Sequence, residues 1–235
     1  KTCCNMTKLN TIAEQPSFDI ELHEADKPLA CLILGHGAGA GKEHEFMQDI
    51  AKELVARGIS TVLFNFPYMQ TIKATGKRRP PDKADKLMSH FTAVIETCSK
   101  DNKALHNLPV FIGGKSMGGR MATMVYEAVS NVKGAIALGY PFHPPGKPEK
   151  TRTEHLQTAS KPLLIIQGER DTFGTKSEVE DYIKRCVLSA DIECAYLDDG
   201  DHSFKPRKAS GKTQEEHIVT AATLTASFIE VHLNN

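Results

Sequence analysis

Short, continuously apolar runs alternate along this chain with longer stretches in which apolar residues recur every three or four positions. Leu29–Gly35 (LACLILG), Ser60–Phe66 (STVLFNF), Pro109–Gly113 (PVFIG), Val132–Gly139 and Pro162–Gly168 (PLLIIQG) are of the first kind. Their length and composition suit strands buried on both faces. Phe18–His23 and Asp191–Leu197 read as a first and a last strand. Glu43–Arg57, Asp82–Lys100, Met117–Val129, Ser177–Leu188 and Thr213–Leu233 read as helices. In Glu43–Arg57 one face carries Phe46, Ile50, Leu54 and Val55, and Gly58 follows as a stop. Met69–Pro81 is polar, basic and proline-ended, which predicts a loop. Pro141–Lys161 contains Pro141, Pro144, Pro145 and Pro148, which predicts a loop or a small cover.

Strands and helices in this alternation predict the α/β class: a mostly parallel twisted sheet with helices on both faces and little or no cap domain. The length of 235 residues suits one domain over 1–235. Lys1–Asn5 precede Met6 and could be a cloning remnant. Sheets of this kind carry their active groups at the carboxyl ends of the strands. The residues just after the apolar runs are therefore the ones to inspect.

After PVFIG comes Gly114-Lys115-Ser116-Met117-Gly118, a G-x-S-x-G. In a sharp strand-to-helix turn the glycines let backbone crowd the serine, and the hydroxyl is pushed out at the tip. Chance produces such a pentamer in roughly one chain in ten of this length, so its weight comes from its place between a strand and a helix. After PLLIIQG comes Glu169-Arg170-Asp171, and after the last strand comes Asp199-Gly200-Asp201-His202. Taken singly, Asp171 is as readily a solvated turn residue, and a loop histidine is more often an ordinary surface group. Together Ser116, Asp171 and His202 follow three different strands in the order Ser…Asp…His. That order predicts Ser116 as nucleophile, His202 as general base and Asp171 as the residue that orients the base. Asp198, Asp199 and Asp201 are rival partners for His202.

A tetrahedral oxyanion needs donors. The backbone N–H of Met117 is the expected first one. The second is assigned to Ala38, with Gly37 as the alternative, in the small-residue loop His36–Gly41. His36, Gly37, Lys115 and Tyr68 are the candidate substrate-binding residues. The same loop fits a dinucleotide fingerprint, G-x-G-x-x-A from Gly35 to Ala40. The next strand ends Asn65-Phe66-Pro67-Tyr68, without the acidic residue that fingerprint requires.

Composition narrows the partners. Lys plus Arg and Asp plus Glu are both 29, a balance that argues against nucleic acid or an anionic membrane. Ten histidines form no H-E-x-x-H and no Cys/His grid, so neither metal nor other cofactor is expected. Six cysteines without a C-x-x-C pair read as free thiols. No apolar run reaches membrane-spanning or signal-peptide length, and the expected location is the cytoplasm. The basic run Lys73, Lys77, Arg78 and Arg79 reads as a solvated loop; it could also draw in an acidic substrate. The oligomeric state is not legible.

Gly113–Arg120 (GGKSMGGR), Gly168–Gly174 (GERDTFG), Asp199–Phe204 (DGDHSF) and His36–Gly41 resemble the α/β-hydrolase superfamily. More narrowly, they resemble the predicted-hydrolase group that includes testis-expressed protein 30 and the hydrolase-like part of NSL complex subunit 3. The likeness runs from about Leu29 to the end. It implies Ser116 as nucleophile, Asp171 as acid and His202 as base. More loosely the chain is similar to dienelactone hydrolases, which carry a cysteine where this chain has Ser116. The expected function is a serine hydrolase of small acyl or ester substrates, esterase- or thioesterase-like. A peptidase or amidase with the same three residues is the rival within the class. A non-catalytic scaffold on the same fold is the rival outside it.

Overall fold

Along the central strands, side chains alternate between two apolar layers. Ala30, Leu32 and Leu34 point into one core, and Cys31 and Ile33 point into the other. This period of two explains why the runs are apolar on both faces with few polar residues: both faces of the sheet are covered. A computed structural model describes residues 18–101, 105–185, 188–189 and 192–233. Lys1–Asn5, Cys3, Cys4, Cys186 and Asp191 lie outside the described residues. Cys31, Cys98 and Cys194 are free thiols.

The strands are β1 (Ile20–His23), β2 (Ala30–Gly35), β3 (Ile59–Phe64), β4 (Val110–Lys115), β5 (Val132–Leu138), β6 (Leu163–Gly168) and β7 (Ile192–Leu197). They form one sheet in the order β1-β3-β2-β4-β5-β6-β7. β1 runs antiparallel to β3 at one edge, and the other pairs are parallel. Helices α1 (Glu45–Val55) and α6 (Gln214–Val231) cover one face. Helices α3 (Ala84–Asp101), α4 (Met117–Val125) and α5 (Lys176–Lys184) cover the other.

From β2 the chain moves outward to β3, then returns to place β4 on the other side of β2. The strand order reverses at this point, and a crevice opens between the loops that leave neighbouring strands in opposite directions. The register pairs Gly35 with Gly114, so the loop after β2 meets the turn after β4.

Between Met69 and Pro81 the structure departs from the predicted loop. Helix α2 spans Pro67–Thr75. Pro67 ends the strand run and also occupies the first helical turn, where its missing N–H costs nothing. Gly76, at φ 67°, caps the helix by donating to Ile72 O. The polar outer face hid a helix that buries Tyr68 and Met69. The segment 141–161 carries one 3-10 turn, Glu154–Leu156, and lies on the fold as a short cover. No helix among the described residues is long and apolar enough to cross a membrane.

Candidate active site

The turn from β4 into α4 forces Ser116 to φ 50°, ψ −113°, a region that non-glycine residues rarely occupy. The Ser116 N–H donates to Leu138 O at 2.9 Å, and Ser116 O accepts from the Arg120 N–H at 3.0 Å. Close backbone approach holds the turn in this shape. A Cβ on Gly114 would come within 2.6 Å of Gly118 C, and a Cβ on Gly118 would meet Gly35 O and, at 2.7 Å, His36 O. Neither position has a flexible neighbour that could yield. Gly118→Ala is expected to destabilise the fold by about 3 kcal/mol, at the upper end of ordinary overpacking. Urea denaturation checks it; an unchanged midpoint would show that β2 and α4 can part without cost.

Beside the serine, His202 Nε2 lies 2.9 Å from Ser116 Oγ, and His202 Nδ1 lies 2.8 Å from Asp171 Oδ2. Asp171 is fully buried. Its Oδ1 accepts from the Phe173 N–H at 2.8 Å, and its Oδ2 also accepts from Gln167 Nε2 at 3.0 Å. An ionised carboxylate only accepts, so the His202 proton resides on Nδ1 and Nε2 is left to accept from the serine hydroxyl. The Phe173 ring packs over the imidazole, with centroids 4.2 Å apart.

The rival aspartates are engaged elsewhere. Asp198 pairs with Lys212, and Asp199 with Arg207 and Arg170. Asp201 Oδ1 accepts from the N–H groups of Ser203 and Lys205. They shape the loop that carries His202 and leave its Nδ1 to Asp171.

Gln167 is a residue the sequence reading passed over. It lies in β6, fully buried. Its Oε1 accepts from the Tyr140 N–H at 2.8 Å, and its Nε2 donates towards Tyr140 O, Asp171 Oδ2 and Gly174 O. One amide thus ties the end of β5 to the loop that carries Asp171. A polar side chain in an otherwise apolar buried strand was the available signal, because a buried amide must find partners.

The loop after β2 is held from below. His36 is fully buried and does not line the cleft. Its Nε2 accepts from the Phe66 N–H at 3.1 Å, so its proton is on Nδ1, 2.6 Å from Gly37 O. Burial pushes its pKa down to about 4, which keeps it neutral. Tyr68 is also buried away from the cleft. Its hydroxyl donates to Ala38 O at 2.9 Å, with Gly37 O at 3.3 Å. Both residues therefore shape the loop instead of forming the cleft wall. Their polar tips turn to backbone because the core around them offers no water. The Met117 and Ala38 N–H groups donate to no other group among the described residues. Tyr68→Phe is expected to destabilise the fold by about 1 kcal/mol, the worth of one hydrogen bond. Urea denaturation checks it; an unchanged midpoint would show that the loop keeps its place without the hydroxyl.

Gly37 and Lys115 do line the cleft. Lys115 Nζ donates to His202 O at 2.5 Å and stands over the rings of Phe46 and Phe204. Burial pushes its pKa down to about 8, against the pull of Asp171 and Asp201. The ammonium thus pins the loop that carries His202 to the turn that carries Ser116. The cleft encloses about 470 Å³ beside Ser116 and His202. Phe46, Met47 and Phe173 give it apolar walls, and Ala38, Gly39 and Ala40 give it a backbone floor. That volume suits a small organic ligand. Among the described residues no three His, Cys, Asp or Glu side chains group as a metal site.

A mostly parallel sheet in this strand order, with a serine turn after its fourth strand, defines an α/β hydrolase. The sequence model of the alpha/beta hydrolase domain matches residues 28–230, and the chain belongs to that family. Among solved structures it is similar to dienelactone hydrolase from Anabaena variabilis, at 18% identity over 92% of each chain with a TM-score of 0.67. It is similar to an α/β serine hydrolase without lid from Xanthomonas campestris, at 16% identity over 93% of this chain and 90% of that one, TM-score 0.67. Est1E from Butyrivibrio proteoclasticus, with ferulic acid bound, matches at 14% identity over 93% of this chain and 96% of that one, TM-score 0.67. At these identities the likeness is one of fold.

Proposed function

We propose that the chain is a single-domain serine hydrolase that cleaves carboxylic esters through an acyl-enzyme, with Ser116, His202 and Asp171 as its catalytic triad. We place it within the predicted-hydrolase group named above. The observation that carries this reading is the continuous hydrogen-bond line from Asp171 through His202 to Ser116 Oγ, with both links under 3 Å.

Ser116 Oγ attacks the ester carbonyl carbon while His202 Nε2 takes the hydroxyl proton. The carbonyl oxygen becomes an oxyanion, held by the Met117 N–H at the start of α4 and the Ala38 N–H in the loop after β2. Nε2 then gives its proton to the departing alcohol oxygen, the C–O bond breaks, and the acyl group remains on Ser116. A water molecule repeats the sequence: Nε2 takes its proton, its oxygen adds to the acyl carbon, and Ser116 leaves with the proton returned. Asp171 holds the imidazole in the competent tautomer throughout. A modest, partly apolar cleft favours small or medium acyl groups, in keeping with a neighbour of the same fold that binds ferulic acid.

The test is covalent labelling with a fluorophosphonate, with the modified peptide mapped by mass spectrometry, followed by p-nitrophenyl esters of graded chain length. The expected result is one adduct, on Ser116, and a kcat/KM that peaks at short to medium acyl chains. Failure of the wild-type protein to label would overturn the reading.

A further inference from the structure

Lys115 immediately precedes Ser116 and reaches past it to the loop of the proposed base. Its Nζ donates to His202 O at 2.5 Å, while Ser116 Oγ meets His202 Nε2 at 2.9 Å. Two residues adjacent in sequence thus grip one histidine at its main chain and at its ring tip. Among the described residues, the bond from Lys115 is the one hydrogen bond that the His202 main chain makes. Asp201 sets the turn around it, Ser203 O accepts from Gln214 Nε2, and the ammonium joins that turn to the end of β4. The fold leaves a place for this group. Gly139 follows β5 at φ 66°, and a Cβ there would come 2.9 Å from Lys115 Nζ, 3.1 Å from His202 O and 3.5 Å from His202 Nδ1. A side chain at 139 would fill the space in which ammonium and base loop meet. Phe46 of α1 and Phe204 of the base loop set their ring centroids 5.5 and 5.7 Å from Nζ. Lys115 forms no ion pair among the described residues. An ammonium kept out of water without a carboxylate partner is a costly way to fasten a loop. An apolar side chain would serve packing better, so the charge calls for another account.

We propose that Lys115 is a positioning residue for the hydrolysis: its ammonium, through His202 O, holds the imidazole at the distance from Ser116 that proton transfer needs. The effect on rate rests on the hydrolase reading; the clamp itself does not. Asp171 holds the ring at Nδ1 and Phe173 packs on its face, but neither fixes where the main chain of the loop stands. A displacement of about 1 Å at a reacting group can cost on the order of 10²-fold in rate. The titratable groups around the ammonium are Asp171 after β6 and Asp201 and His202 on the base loop; α1 presents the Phe46 ring and β5 leads into Gly139. Burial holds the Lys115 pKa at about 8 against the pull of the two aspartates. Below that pH the clamp is charged. Above it the amine is neutral, donates about half as strongly, and loses its attraction to the two rings. Turnover should therefore step down as the pH rises through about 8.

Lys115→Met in the full chain tests the proposal, because methionine keeps the stem and removes the ammonium. Hydrogen exchange of the peptide spanning 198–205 reads the clamp without reference to activity. It is expected to quicken about tenfold or more, while peptides from β2 and β5 exchange as in the wild type. Hydrolysis of a p-nitrophenyl ester, followed from pH 6 to about 10 and corrected for the uncatalysed rate, reads the positioning. At pH 7, kcat should fall about ten- to a hundredfold with KM within about twofold. The wild type should lose activity several-fold above pH 8 and settle on a lower plateau, and Lys115→Met should show no such step. Lys115→Arg keeps a donor that does not titrate in this range, so it should recover part of kcat without the step; it carries the pH comparison if the methionine variant fails to fold. Exchange in 198–205 equal in wild type and Lys115→Met overturns the clamp. Profiles of the same shape in wild type and variant, or a fall in kcat matched by faster exchange in every strand, overturn the positioning role. A wild-type chain that neither labels with fluorophosphonate nor turns over ester would overturn the hydrolase reading and the positioning role with it, and exchange would still decide the clamp.

Discussion

Ser116→Ala is expected to lower the hydrolytic kcat on the order of 10⁶-fold and to abolish fluorophosphonate labelling. The hydroxyl is the one group at the tip of the turn that His202 Nε2 contacts, at 2.9 Å. Without it the base has no proton to remove, and only binding and the backbone donors remain to help water attack. Alanine inherits the same backbone strain at φ 50°, and it removes no other hydrogen bond that the turn needs. The urea midpoint should therefore stay close to that of the wild type, which separates loss of chemistry from loss of fold. Burst kinetics and labelling of the two proteins side by side make the measurement. A variant that hydrolyses esters within tenfold of wild type would place the nucleophile elsewhere.

Asp171→Asn is expected to lower kcat by about 10⁴-fold while the protein still folds. The reason is a reversal of donors. Asp171 Oδ1 accepts from the Phe173 N–H, so the oxygen of an asparagine keeps that place and its amide turns towards His202 Nδ1. A donor there drives the imidazole proton onto Nε2, which then faces the serine hydroxyl as a donor too. The same amide would confront Gln167 Nε2, donor against donor, in a site that water does not reach. Stability should consequently fall by about 1–3 kcal/mol, the cost of leaving buried donors unpaired. Kinetics together with urea melts check both effects. Full activity in this variant would mean that Asp199 or Asp201 orients the base, against the pairing they show with Arg207 and with the loop backbone.

The strands were legible because a doubly covered sheet requires mostly apolar runs, and each run of PLLIIQG type leaves little choice of element. Helix α2 was not, since Pro67 carries two meanings: it ends one element and begins the next. The three residues of the proposed triad could be named because each follows a different strand. Residue type and strand order were enough to select them, although nothing in the sequence gives the distances between them. Tyr68 and His36 show the limit of that approach. Both were near the right loop, and sequence proximity suggested contact with substrate. Their side chains turn inward instead, and a direction of that kind depends on packing partners such as Phe66 that no local pattern encodes.

The meeting of Gly35 and Gly114 across β2 and β4 also bears on how the protein would acquire the proposed activity. The two strands are far apart in the chain, and a whole βα excursion must be gathered in before they can pair. His202 needs a further pairing, of β6 with β7, and Asp171 reaches its place only with β5 and β6 aligned. Each of these steps closes a long loop before any contact rewards it. The proposed hydrolytic activity is therefore expected to return late in refolding, and turnover recovered after dilution from denaturant would report completion of the sheet, trailing the earlier return of helical signal.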